Sequence, residues 1–193
     1  KDNTDKVVEY VDAAEELGLT ILPPDINQSI LEFNVTNEKT IRFGLLAIKN
    51  VGQGAIESIV ANRLSEGPYK SIFEFCKRVD LRVANRKVLE SLIKCGALDS
   101  FKLFRSQLMA VLERALEMGT KTQKEVAAGQ FSFFSMGEGA GGFKHDAETM
   151  PQVKEWPKNE ILGYEKEILG FYLSGHPLTH YKTEMKEFVK HTT

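Results

Sequence analysis

Two glycines separated by one polar residue, Gly52-Gln53-Gly54, stand between an apolar run and an amphipathic stretch. The run is Leu45-Leu46-Ala47-Ile48, and the stretch ends at Arg63 with Ile56, Ile59 and Val60 recurring at helical spacing. A chain that must reverse this tightly between two apolar segments has the outline of a helix–hairpin–helix. Without a Cβ, Gly52 and Gly54 can take positive φ and let a phosphodiester approach the main chain. The first amides of the second helix have no partner within it and point outward as donors. Lys49, Asn50, Val51, Gly52, Gln53 and Gly54 are therefore candidate phosphate-binding residues, with Ile56, Ile59 and Val60 expected to pack on Leu46 and Ile48. An ordinary two-helix turn stopped by a glycine gives the same pattern.

At 193 residues the chain has room for one good-sized domain or two small ones. Its formal charge of −2 argues against a strongly basic, charge-driven nucleic-acid binder. The charge is nevertheless uneven. Residues 1–40 carry nine acids against three lysines, a net of −6, whereas residues 70–105 carry nine Lys or Arg against four acids, a net of +5. The basic stretch follows the hairpin closely, where a second contact with a nucleic-acid backbone is expected.

Cys76 and Cys95 lie in apolar helical contexts without C-x-x-C spacing, so they read as buried free thiols of a reducing compartment. His176 and His180 are four apart, but Pro177 between them spoils the helical alignment a metal pair needs. No metal or cofactor is expected in this stretch. A signal peptide and an apolar run of spanning length are both missing, which points to the cytoplasm and to no membrane partner. The opening Lys1-Asp2-Asn3-Thr4, with no initiator Met, is expected of a piece of a longer protein.

Asp5 to Leu17 reads as a helix with Val7, Val8, Val11 and Ala14 on one side, stopped by Gly18. Leu19 to Leu22 is a short strand ended by Pro23-Pro24. Leu31, Phe33 and Val35 alternate with polar residues before a turn into Ile41 and Phe43, which predicts a hairpin with one buried face. Ser71-x-x-Glu74 is a capping box opening a helix with Ile72, Phe75, Cys76 and Val79 inward. After Asp80-Leu81-Arg82-Val83-Ala84, Asn85 caps another helix with Val88, Leu89, Leu92 and Ile93 inward, and Gly96 ends it.

Two such pairs in succession suggest a duplicated hairpin unit. The second turn has no glycine, so phosphate contacts there fall to the side chains of Arg82, Arg86 and Lys87, unless these form only a solvated basic face. The fold expected is mainly α (α+β): a tandem helix–hairpin–helix domain preceded by a small β-hairpin and helix. A long helix runs from about Phe104 to Met118 or beyond. Gln130-Phe131-Ser132-Phe133-Phe134 then sets three aromatics beside a glycine-rich stretch, the mark either of a docking peptide or of a segment folded back on the helices. A further helix starts near Trp156 and a last one holds Met185, Phe188 and Val189; His176 lacks any nucleophilic set and reads as a turn residue.

Four stretches, in order, resemble the bacterial replicative C-family DNA polymerases, the DNA polymerase III alpha subunits. They are Leu22-Pro23-Pro24-Asp25-Ile26-Asn27; Phe43-Gly44-Leu45-Leu46-Ala47-Ile48-Lys49-Asn50-Val51-Gly52; Leu92-Ile93-Lys94-Cys95-Gly96-Ala97-Leu98-Asp99; and Glu165 through Leu178, including Gly170-Phe171-Tyr172-Leu173-Ser174-Gly175-His176-Pro177. The resemblance covers nearly the whole chain, Gly137 to Met150 excepted.

It implies that residues 1–44 end a fingers domain and that 45–126 form the tandem hairpin region gripping duplex primer-template DNA. Residues 127–150 would be a flexible segment that binds the sliding clamp, and 151–193 a helical passage toward an oligonucleotide-binding domain. Gln130 to Phe134 resembles the family's internal clamp-binding pentapeptide, Gln-x-Ser-x-Phe, with Phe at both variable positions. The catalytic aspartates and their Mg²⁺ ions would lie in a palm upstream of Lys1, leaving this stretch inactive alone, with other replicase subunits as further partners. A helix–hairpin–helix repair glycosylase and a pure protein-interaction scaffold are the competing readings. The first needs a catalytic Asp, and Lys70 to Phe75 offers only the capping Glu74.

Overall fold

Chain punctuation sets the elements. The computed structural model describes residues 2–128 and 149–175, so Gln130–Phe134, His176, His180 and the segment around Met185 lie outside the described residues. Helix α1 (Asp2–Glu16) ends where Gly18 takes φ 75° and the Leu19 amide turns back to the Ala14 carbonyl. Strands β1 (Thr20–Leu22), β2 (Asn34–Asn37) and β3 (Thr40–Arg42) make a sheet in the order β1-β3-β2, with β1 parallel and β2 antiparallel to β3.

The expected β-hairpin with one buried face is only half present. β2 starts at Asn34 and bulges between Val35 and Asn37, leaving Val35 73% exposed. Leu31 and Phe33 precede the strand because the chain there pairs elsewhere: the Leu45 and Leu46 amides donate to the Ile30 and Leu31 carbonyls. Gly44 permits this crossing, since a Cβ on it would overlap the Glu32–Phe33 backbone.

A one-turn 3-10 helix (Leu45–Ala47) leads into α2 (Gln53–Glu66), followed by α3 (Ile72–Arg78) and α4 (Arg86–Lys94). Ser71 Oγ accepts the Glu74 amide at 3.1 Å, and the Glu74 carboxylate reaches back to the Lys70 amide, one residue earlier than a strict capping box. A second 3-10 turn (Asp99–Phe101) precedes α5 (Arg105–Ala127), and Pro157 opens α6 (Lys158–Leu169). α3 and α5 cross so closely that Gly119 lies on the Cys76 carbonyl, with no room for a Cβ. Gln123 Nε2 then takes the open carbonyls of Cys76 (3.0 Å) and Val79 (2.7 Å) at the end of α3.

One core runs from Ile26 and Phe43 through the four central helices to Ile168 and Leu169 of α6. Cys76 and Cys95 are buried free thiols within it, as their apolar context predicts. α6 is held there by polar groups as well. Glu165, fully buried, accepts from Arg105 Nη1 at 3.1 Å and from the Leu173 and Ser174 amides at 2.9 and 2.8 Å. Arg105 also pairs with Asp99 at 2.8 Å. Glu155 caps α5 by accepting the Arg105 and Ser106 amides; with the Trp156 amide, the strongest of the three, these outweigh its partial burial and keep its carboxyl below the usual range. Among the described residues no helix is long and apolar enough to cross a membrane.

Candidate nucleic-acid interface

The apolar run before the first hairpin forms a single 3-10 turn, not the expected α-helix. With three residues per turn, Leu45 and Ile48 share a side and are buried, while Leu46 is 43% exposed. Ile56 and Ile59 thus share their core with Leu45 and Ile48, and Leu46 is not their partner. The left-handed residue also differs from expectation. Gly52 is extended, with φ −84° and ψ 159°, and Gly54 lies inside α2, whereas Asn50 takes φ 67°. The reversal is closed over Asn50-Val51-Gly52 because Val51 turns into the core, 5% exposed, with its amide on the Ile48 carbonyl at 3.2 Å.

The six hairpin residues divide by role. Lys49 faces α6: its amide donates to the Ile168 carbonyl at 3.2 Å and its Nζ to the Glu167 carbonyl at 2.9 Å. Asn50 Nδ2 donates to Ser91 Oγ on α4 at 3.1 Å. Gln53 Nε2 donates to Glu57 at 2.7 Å. What remains is backbone. Among the described residues the amides of Gly52, Gln53 and Gly54 donate to no acceptor, and the Gly52 cap offers no side chain to take them. All three residues are exposed, and a Cβ on Gly52 would meet no atom within 4 Å. Three adjacent donors at the positive end of a 14-residue helix make an open cradle for an anion.

The second turn lies beside the first. A Cβ on Gly54 would touch Val83 Cγ1 at 3.5 Å, and the Asp80 amide donates to Ser58 Oγ on α2 at 2.8 Å. Here Asn85 takes the Val88 amide at 3.3 Å, so one donor of this turn is satisfied internally. Arg82 forks onto Asp80, at 2.7 and 2.9 Å, and hydrogen bonds from its side chain and backbone hold the Asp80 carboxyl down to about 2. Arg86 sits between Glu90 and Glu113. Lys87 is exposed and has no ion pair among the described residues.

The basic run is therefore less of a surface feature than its composition predicts. Arg78 and Arg105 are buried in ion pairs, and Arg82 and Arg86 already have acidic neighbours. Ser58 and Ser91, which fasten the two hairpins together, were not singled out from the sequence. The available signal at 91 was a small polar residue on the otherwise apolar face of α4.

Comparison with known proteins agrees with this arrangement. A family model described as a helix-hairpin-helix motif matches residues 18–108. The DNA polymerase III subunit alpha of Vibrio cholerae is 41% identical over 192 residues, covering all of this chain and 16% of that protein. The subunits of Escherichia coli K12 and Thermus aquaticus are 39% and 40% identical over 97% and 98% of the chain, again 16% of each relative. The chain thus spans about one sixth of the length of the curated relatives it matches. With this agreement running from end to end, the chain belongs to the family of DNA polymerase III alpha subunits.

Proposed function

We propose that this stretch holds duplex DNA by its backbone within a replicative DNA polymerase. One phosphate is taken by the amides of Gly52, Gln53 and Gly54, and others by the exposed Lys87 on the first turn of α4 and by Arg82 and Arg86, which exchange Asp80, Glu90 and Glu113 for phosphate oxygens. Contacts of this kind set register and carry no base information, so binding is independent of sequence. The observation that carries the reading is the run of three exposed, unpartnered amides at a helix start capped only by glycine. Nucleotidyl transfer and its Mg²⁺ enter the proposal as properties of the whole polymerase, whose name the relatives carry and of which this chain spans about one sixth.

Gln130, Phe131, Ser132, Phe133 and Phe134 complete the proposal as a tether to the sliding clamp. Gln130 would hydrogen-bond in a polar pocket, while Phe133 and Phe134 fill an apolar cleft. Tethering gives a modest contact a high effective concentration on DNA. Removing Gln130 and Phe134 together is expected to abolish capture of the clamp while leaving the melting temperature unchanged.

Gly52→Asp tests the phosphate cradle. Gly52 has N-cap geometry and space for a side chain, so the aspartate caps α2 itself and sets a negative charge where the phosphate would lie. Duplex affinity, at roughly 10⁻⁴–10⁻⁶ M for the parent chain at physiological salt, should fall at least tenfold while stability stays level or rises. Equal binding by Gly52→Asp and the parent chain would remove the cradle as the DNA contact, and no binding by the parent chain would leave the scaffold reading.

A further inference from the structure

We propose that Asn50 and Ser91 form a positioning pair that holds the phosphate-binding turn in its open-amide conformation. The inference rests on the duplex-holding reading above. Among the described residues only Asn50 and Lys102 take positive φ without being glycine. Asparagine tolerates that region better than most residues, but at a cost that the surrounding structure must sustain. Here the constraint comes from two sides. Lys49 is fastened through its amide and ammonium to the carbonyl end of α6, and Asn50 through its side chain to Ser91 on α4, 41 residues away.

Val51 is then driven into the core, and Gly52 to Gly54 are left exposed at the start of α2 with their amides unbonded. A turn fixed in this way binds its anion without first losing conformational freedom, which raises affinity with no added contact. Ser91 is decisive because it is 2% exposed on α4, among Val88, Leu89, Leu92 and Ile93. It is out of reach of a nucleic acid. Any effect of Ser91 on DNA binding must pass through Asn50.

The pair also predicts a specific salt behaviour. Amides are neutral, so loosening the turn lowers affinity without changing the number of counterions released. A lost lysine contact, by contrast, flattens the dependence of log K on log salt. The test is duplex binding by fluorescence anisotropy across a salt series, with thermal unfolding in parallel, for the parent chain, Ser91→Ala, Asn50→Gly and the double variant. Asn50 is exposed, so Asn50→Gly keeps the left-handed turn and removes the bond without touching the core.

Each single variant should bind about three- to tenfold more weakly, the worth of one such hydrogen bond, with the salt slope unchanged. The double variant should be no weaker than the weaker single. Parent-level binding by both single variants, or additive losses in the double, overturns the pair. If the parent chain itself fails to bind, or Gly52→Asp leaves binding intact, the duplex-holding reading has failed instead, which separates the two outcomes.

Discussion

Lys49 reaches across to α6 and donates to the Glu167 carbonyl at 2.9 Å, while its own amide takes the Ile168 carbonyl. A cation next to a candidate phosphate cradle is thus committed to the negative end of a helix, where it satisfies carbonyls that α6 leaves open. Lys49→Met should cost about 1 kcal/mol in urea unfolding. The same variant should change the salt slope of DNA binding little, because Lys49 is not expected to meet a phosphate.

Arg105 and Glu165 make a stronger prediction. Glu165 is fully buried and holds Arg105 together with two amides of the segment after α6. Glu165→Ala leaves Arg105 with an unpaired charge on that side, at a cost of about 3–5 kcal/mol. Denaturant midpoints read this directly, and a loss under 1 kcal/mol would mean that the pair is dispensable.

Two glycines in helices should respond in opposite directions to alanine. On Gly119 a Cβ overlaps the Cys76 carbonyl of α3, so Gly119→Ala should destabilise by about 1–3 kcal/mol. On Gly163 in α6 a Cβ meets nothing, and Gly163→Ala should stabilise by about 0.5–1 kcal/mol through helix propensity alone. Paired melting curves decide it.

The Asp80–Arg82 fork sets a pH and salt prediction. The Asp80 carboxyl titrates near 2 in the fold against an ordinary 3.8, so the fork is fully formed above about pH 4 and is lost as pH falls toward 2. At neutral pH Asp80→Asn should release Arg82 toward phosphate, tightening duplex binding. The log–log salt slope should stay nearly unchanged, because Arg82 meets a phosphate in the complex of either chain and only the competing carboxylate is removed. Weaker binding by this variant would place Arg82 outside the contact surface.

Burial pushes the Cys76 and Cys95 thiols up to about 12. Neither should react with a thiol reagent at pH 8 until the chain unfolds, when both become available together.

Much of this was legible where the cause is local. Gly18, Ser71, Asn85 and Gly96 each terminate or open a helix through groups within a few residues, and the sequence places all four. Val35 and Leu46 were misplaced because a bulge and a 3-10 turn change the period on which the hydrophobic pattern is counted. The glycines at 52 and 54 mark where positive φ is easiest, yet it is Asn50 that takes it. Its conformation depends on Ser91, a partner no local pattern announces. Arg86 has one partner legible from local spacing, Glu90 four residues on, and a second, Glu113, that lies 27 residues away on α5. What the sequence leaves hidden is the set of polar contacts that join elements distant along the chain.

The most direct measurement is a titration of ¹⁵N-labelled chain with a short DNA duplex, following backbone amide signals. The amides of Gly52, Gln53 and Gly54 should shift most, moving together with one apparent Kd that weakens steeply as salt rises. If these three stay still while the duplex is bound elsewhere, the cradle at the start of α2 is not where this chain holds DNA.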